Sequence, residues 1–127
     1  MNIRFDIIGE YLPFFLQGML ITIMMSAIGV LVGCILGFFI ALGKMSRKLI
    51  IRLPFTWYIN VLRGTPLLVQ LFIFHYAILP AILEDRTAII SAVVTLSLNS
   101  SAYVAEIFRS GLQSIDKGQA EAAHSLG

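Results

Sequence analysis

Charge is what this sequence has least of: charged residues make up 13% of its 127, against about a quarter in a soluble domain. Hydrophobic residues reach 58% and mean hydropathy is +0.90, so there is too little polar surface to cover a folded body in water. Lipid is the natural solvent for such a chain. Cysteine is nearly absent as well. Cys34 alone excludes a disulfide framework and a cysteine-built metal site, and inside an apolar run it reads as a small buried residue rather than a redox centre. The sequence also lacks a phosphate-binding loop of the form G-x-x-x-x-G-K-[ST], which argues against nucleotide hydrolysis by this chain. No catalytic residue, metal or cofactor is expected.

The charges are missing in blocks. None occurs in residues 11–43, 64–83 or 87–105. A bilayer core about 30 Å thick takes roughly 20 apolar residues of helix, so each block can cross it, the first with room to tilt. The expectation is an all-α membrane protein with spans at about 12–43, 53–79 and 87–112. The first is no signal peptide, because Met1–Tyr11 is of mixed charge, the apolar run is too long and further spans follow.

Acid is absent from the first connection, Gly43–Arg52, which carries Lys44, Arg47, Lys48 and Arg52. The second, Pro80–Arg86, sets Glu84 and Asp85 against Arg86. Positive loops stay in the cytoplasm, so the first loop and the segment after the third span are expected inside, and the N-terminus outside. Asp6 and Glu10 outnumbering Arg4 agrees.

Within the spans, three patterns carry information. Gly29, Gly33 and Gly37 recur every four residues and Ala41 continues the row, a flat strip for close helix packing. In the second region an amphipathic, aromatic stretch (Phe55, Trp57, Tyr58) meets Arg63-Gly64-Thr65-Pro66. Thr65 can cap a helix starting at Pro66, so a break near 63–66 is expected between a helix from about Met45 to Leu62 and another from Pro66 to about Leu79. Coaxial pieces would hold Arg63 inside the membrane; a flat first piece would make it an interfacial anchor. In the third span Thr95, Asn99, Tyr103, Glu106 and Ser110 share one helix face. An acid facing lipid at mid-bilayer costs about 2.5–3.5 kcal/mol, so this stripe should face protein or a water-filled path. Helix-to-helix hydrogen bonding explains it as well as ligand contact does, and an interfacial Glu106 would cost little.

After the third span, Asp116 and Gln119 fit a capping box and Gly127 a helix stop, giving a short cytoplasmic helix at about 117–126. Its face, Ala120, Ala123 and Leu126, is too small to anchor in lipid and suits docking into a groove on another protein. His124 has no partner nearby in sequence and reads as exposed.

Two stretches resemble a known family. Ile107-Phe108-Arg109-Ser110-Gly111, then Ser114–Gln119, then Glu121-Ala122-Ala123 with Gly127 four residues on, is similar to the EAA signature of ABC-importer permeases in its polar amino acid form. Arg63-Gly64-Thr65-Pro66-Leu67-Leu68-Val69-Gln70 resembles the same family's second-helix motif. Either motif alone is degenerate; both in order, at this spacing and on the expected sides, are specific. The resemblance implies the type I importer permease fold found also in methionine importers, here its first three transmembrane helices plus a coupling helix. It implies that Lys117, Gly118, Glu121, Ala122, Ala123 and Gly127 dock an ABC ATPase subunit. It further implies a second permease subunit, like or unlike, an extracytoplasmic substrate-binding protein, a polar amino acid as cargo and a bacterial inner-membrane location, with no nucleic acid. By placement, Arg63, Thr65, Asn99, Tyr103 and Glu106 are candidates for the translocation path. Family members have five core spans and run on past the EAA glycine, so a sequence ending at Gly127 is expected to be a fragment or a truncated reading frame.

Two other classes compete. A small oligomeric channel would use the third-span stripe as a pore lining but leaves the end helix and the break unexplained. A non-transporting remnant would follow from truncation and predicts no uptake.

Overall fold

The computed structural model describes residues 6–83 and 87–114, all of it helix and short connections with no strand among the described residues. The expected end helix at 117–126 and the charged triplet at 84–86 lie outside them. The first helix, α1, runs Asp6–Lys44; α2 is Leu49–Gly64; α3 is Leu67–Ile73; and α4 is Ala88–Gln113. Helices α1 and α4 are each long and apolar enough to cross a membrane, whereas α2 and the segment Leu67–Ala81 form a pair bent by 111°. In place of the middle expected span stand two helices with a break between them, and the two are far from coaxial.

Glycine decides how α1 and α4 meet. A Cβ added at Gly29 would stand 2.9 Å from Leu96 Cβ, at Gly33 2.6 Å from Ser100 Cβ, and at Gly37 2.9 Å from both Ser101 O and Val104 Cβ. Only hydrogen fits at these three positions, and the backbones close up accordingly. The partner residues climb in step with the glycines, so α1 and α4 run parallel. By the same offset, Ala88 lies level with about Ile21, on the order of 35 Å back from Lys44 at 1.5 Å per residue. The chain between them must make that return, a distance close to the thickness of a bilayer core. Bent as it is, the α2–α3 segment is the returning leg.

Residues 45–48, expected to begin α2, turn the corner instead. Met45 N–H donates to Ala41 O (2.9 Å), Ser46 N–H to Gly43 O (3.2 Å), and Ser46 Oγ accepts from Lys48 N–H (3.3 Å). The Phe55 ring then lies flat on Gly43, where a Cβ would come within 2.2 Å of it. Ala41, Ile59, Leu62, Ala102 and Ala105 form the buried apolar cluster at which α1, α2 and α4 meet. Large apolar side chains on the rest of α1, among them Phe15, Leu31 and Phe39, are exposed, as lipid-facing groups should be.

The far end of the leg, next to α4's start, unwinds for an identifiable reason. Pro80 has no N–H for Tyr76 O and its ring collides with that carbonyl, so the α geometry cannot continue. The chain widens to a π turn over Phe74–Ile78 and finishes in a tight turn, Leu79–Ala81. His75 Nδ1 and Ser91 Oγ, 2.7 Å apart, fasten the π turn to α4. Thr87 Oγ1 accepts from Ile90 N–H (3.2 Å) and caps α4.

Candidate functional site

The break at Thr65-Pro66 leaves the last carbonyls of α2 short of donors. Pro66 is the residue whose N–H would have served Leu62 O, and it has none. Thr65 does not cap the following helix, as its place in the sequence suggested. Its hydroxyl turns back and donates to Val61 O (2.9 Å), and α3 starts one residue later, at Leu67, without a side-chain cap. The reason is local: Thr65 is extended (φ −112°, ψ 141°) at the C-terminal end of α2, where the free groups are acceptors.

Gln70 fills the gap. Its Nε2 donates to Leu62 O (2.6 Å), Thr65 O (2.9 Å) and Thr65 Oγ1 (2.8 Å), while its Oε1 accepts from Asn99 Nδ2 (3.1 Å). At 4% exposure this amide is buried inside the elbow. It joins two of the candidate path residues, Thr65 and Asn99, through one side chain.

The polar stripe of α4 divides in two. Thr95 is fully buried and its hydroxyl donates to Ser91 O (2.7 Å) within the same helix, and Asn99 is taken up by Gln70. Further along, Tyr103 is exposed and Ser110, also exposed, donates to Glu106 O (2.8 Å). Arg63, Tyr103, Glu106, Ile107, Ser110 and Gly111 line one open groove of about 430 Å³. In it the Arg63 guanidinium lies over the Tyr103 ring, 5.3 Å from its centroid. Glu106 is engaged elsewhere: its Oε2 accepts from Lys44 Nζ (2.7 Å), and its Oε1 from Arg109 Nε (2.9 Å) and Nη2 (2.5 Å). Among the described residues, the carboxylate of the groove is thus held by two cations and Arg63 makes no ion pair. The balance suits a site for an anionic group such as a carboxylate.

The glycine row sits apart from this groove, on the α1–α4 contact. Its counterpart on α4 lies beside the polar stripe: Leu96, Ser100 and Val104 carry the Cβ atoms nearest the three glycines, and the backbones of Ser97 and Ser101 pass between them. Tyr58 also reaches α4, its hydroxyl within 2.8 Å of Ser101 Oγ and donating to Leu98 O (3.2 Å). In the sequence Lys44 is a loop cation and Gln70 one letter of a motif, and their spacing holds no sign of their partners. The six expected docking residues, Lys117 to Gly127, lie outside the described residues.

Comparison with known proteins bears on what such a groove serves. The family model described as the binding-protein-dependent transport system inner membrane component matches residues 29–127. The probable amino-acid ABC transporter permease protein YckA of Bacillus subtilis is 42% identical over 93% of this chain and 52% of its own length. The arginine transport system permease protein ArtQ of the same organism is 43% identical over 100% of this chain and 58% of its own. A crystal structure of an amino acid ABC transporter with histidines superposes at a TM-score of 0.88 and 45% identity, covering 100% of this chain and 59% of that one. The chain spans between half and three-fifths of the length of these relatives. The parallel α1 and α4, the broken return leg and the two motifs are accordingly one inheritance: the chain belongs to the family of binding-protein-dependent transport system inner membrane components.

Proposed function

We propose that the chain works as the membrane-crossing permease subunit of an ATP-driven importer of polar amino acids. The observation that carries this reading is the groove beside the elbow, where Arg63 lies over Tyr103 with no acid on it among the described residues, next to the engaged Glu106. Every amino acid has a carboxylate, and a guanidinium is the side chain best shaped to meet one. Relatives named for amino acid and arginine transport supply the cargo class. Arg63, Thr65, Asn99, Tyr103 and Glu106 then belong to the translocation path, and the permease does no covalent chemistry.

In this reading the cluster of Lys44, Arg47, Lys48 and Arg52 faces the cytoplasm and the N-terminus faces outward. The segment containing Lys117, Gly118, Glu121, Ala122, Ala123 and Gly127 docks an ATPase subunit, a binding protein delivers the amino acid, and a second permease subunit completes the path. A pore formed by the α4 stripe is the weaker reading, because Thr95 and Asn99 have their donors committed inside the protein.

The test is ATP-dependent uptake of labelled polar amino acids into proteoliposomes holding the permease with its ATPase and binding protein. Arg63→Ala is expected to lower uptake about tenfold or more, the scale of a lost charge-assisted hydrogen bond. Ala122→Trp is expected to abolish association with the ATPase. Full uptake in Arg63→Ala, or undiminished association in Ala122→Trp, would refute the respective assignment.

A further inference from the structure

We infer that Gln70 is a positioning residue that ties the elbow to the translocation face: it replaces the N–H that Pro66 lacks and thereby sets which way Asn99 presents its carboxamide. The inference rests on the place of Asn99 in the path proposed above.

The polarity of the whole chain of hydrogen bonds is forced from one end. Leu62 O and Thr65 O are carbonyls and can only accept. Thr65 Oγ1 has spent its single proton on Val61 O, so it too can only accept. All three lie within 2.9 Å of the same Gln70 nitrogen, which fixes the side-chain amide with nitrogen to the elbow and oxygen to α4. That oxygen needs a donor. Asn99 must therefore turn its Nδ2 toward Gln70, at 3.1 Å, and its Oδ1 away. Asn99 Oδ1 accepts no hydrogen bond from the described residues. No buried side-chain oxygen or nitrogen among them is without a partner, so Oδ1 is an open acceptor. A proline in the break thus dictates, two residues removed, that the path is offered an oxygen at Asn99. The group that meets it must be a donor, as an ammonium or amide N–H is.

Other amides could cap the elbow without touching α4, so the two roles of Gln70 can be separated by experiment. In the assembled, reconstituted transporter, Gln70→Met removes both. Its thermal stability is expected to fall, and KM for uptake to rise about fivefold or more with Vmax little changed, as when a binding group loses its alignment. Pro66→Ala restores an N–H at position 66, which serves Leu62 O once Thr65 turns from extended to helical. The double variant Pro66→Ala/Gln70→Met is expected to regain stability while KM stays raised, which also keeps the question answerable should Gln70→Met alone fail to assemble. Gln70→Glu keeps an oxygen for Asn99 and loses the donors, so it is expected to be unstable with KM close to that of the parent. A KM restored by Pro66→Ala, or unmoved by Gln70→Met, overturns the positioning role and leaves Gln70 a cap. An Asn99→Ala transporter with unchanged KM overturns the path reading itself, whatever Gln70 does.

Discussion

The α1–α4 contact and the α2–α3 elbow hold the same small bundle together by opposite means. Along α1–α4 the decisive atoms are absent ones: three glycines let two backbones close to where no Cβ fits. At the elbow the backbone has been broken by Pro66, and a side-chain amide at 4% exposure supplies what the helix lost. A steric contact has one answer, so it fixes a register. A hydrogen-bonded joint has a polarity, so it fixes which atoms face each other. The difference teaches what each joint depends on: the α1–α4 pair on the absence of side-chain atoms, the elbow on one buried amide.

The sharpest way to break the comparison is to put a side chain where none fits. Gly33→Leu drives its Cβ into Ser100, 2.6 Å away, and three more carbons follow it. Overpacking typically costs about 1–3 kcal/mol, and here the obstacle is helix backbone as well as side chain, so the upper part of that range is expected. Gly18, on the same helix, has nothing within 4 Å of an added Cβ. Unfolding titrations in mixed micelles should show Gly33→Leu losing most of its stability while Gly18→Leu stays near the parent. Equal losses at the two positions would mean that glycine matters to α1 for reasons unrelated to α4.

The same contrast explains what could be read from the letters alone. Run length and the glycine period are local signals, which is why α1, α4 and their packing strip were legible before any coordinates. The break was legible too, because proline acts on its own neighbourhood. The 111° angle was not. Pro66 deletes a donor without saying which group will replace it, and that group, Gln70, is identified only once α3 folds back. The α4 stripe misled in part for a similar reason. Thr95 and Asn99 are the more polar residues of α4, yet the backbone that comes closest to the glycine row belongs to the smaller Ser97 and Ser101. Size decides a close helix contact, and polarity alone does not report it. Lys44, likewise, carried a clear message about orientation and none about Glu106, 62 residues away.

A smaller effect is expected where the α1–α4 pair ends. Glu106 binds Lys44 across the helices and Arg109 along its own helix, with side chains 16–28% exposed. Only the first of these joins α1 to α4. Lys44→Met should therefore cost about 1 kcal/mol, shrinking as salt is raised. Arg109→Met should cost about 0.2–0.5 kcal/mol, the range for a pair within one helix. Micelle titrations at low and high salt measure both. A larger loss for Arg109→Met would show that the carboxylate is held chiefly from within α4, and that sterics alone keep the end of the α1–α4 pair closed.

The smallest expected change in stability is that of Tyr103→Phe in the groove, and its smallness is what makes it informative. Arg63 over Tyr103 at 5.3 Å is an exposed cation–π contact, worth about 0.5–1 kcal/mol. Tyr103→Phe keeps the ring and should be nearly silent in stability, and Tyr103→Leu should lose no more than that contact. Transport need not follow the same scale. If the ring holds the guanidinium in place for a carboxylate, Tyr103→Leu will raise KM for uptake by clearly more than its stability loss accounts for, while Tyr103→Phe will not. If uptake and stability fall together by the same small factor, the pair is only a surface contact on the elbow side of the bundle. The cation of the groove would then have to find its orientation from cargo or partner rather than from α4.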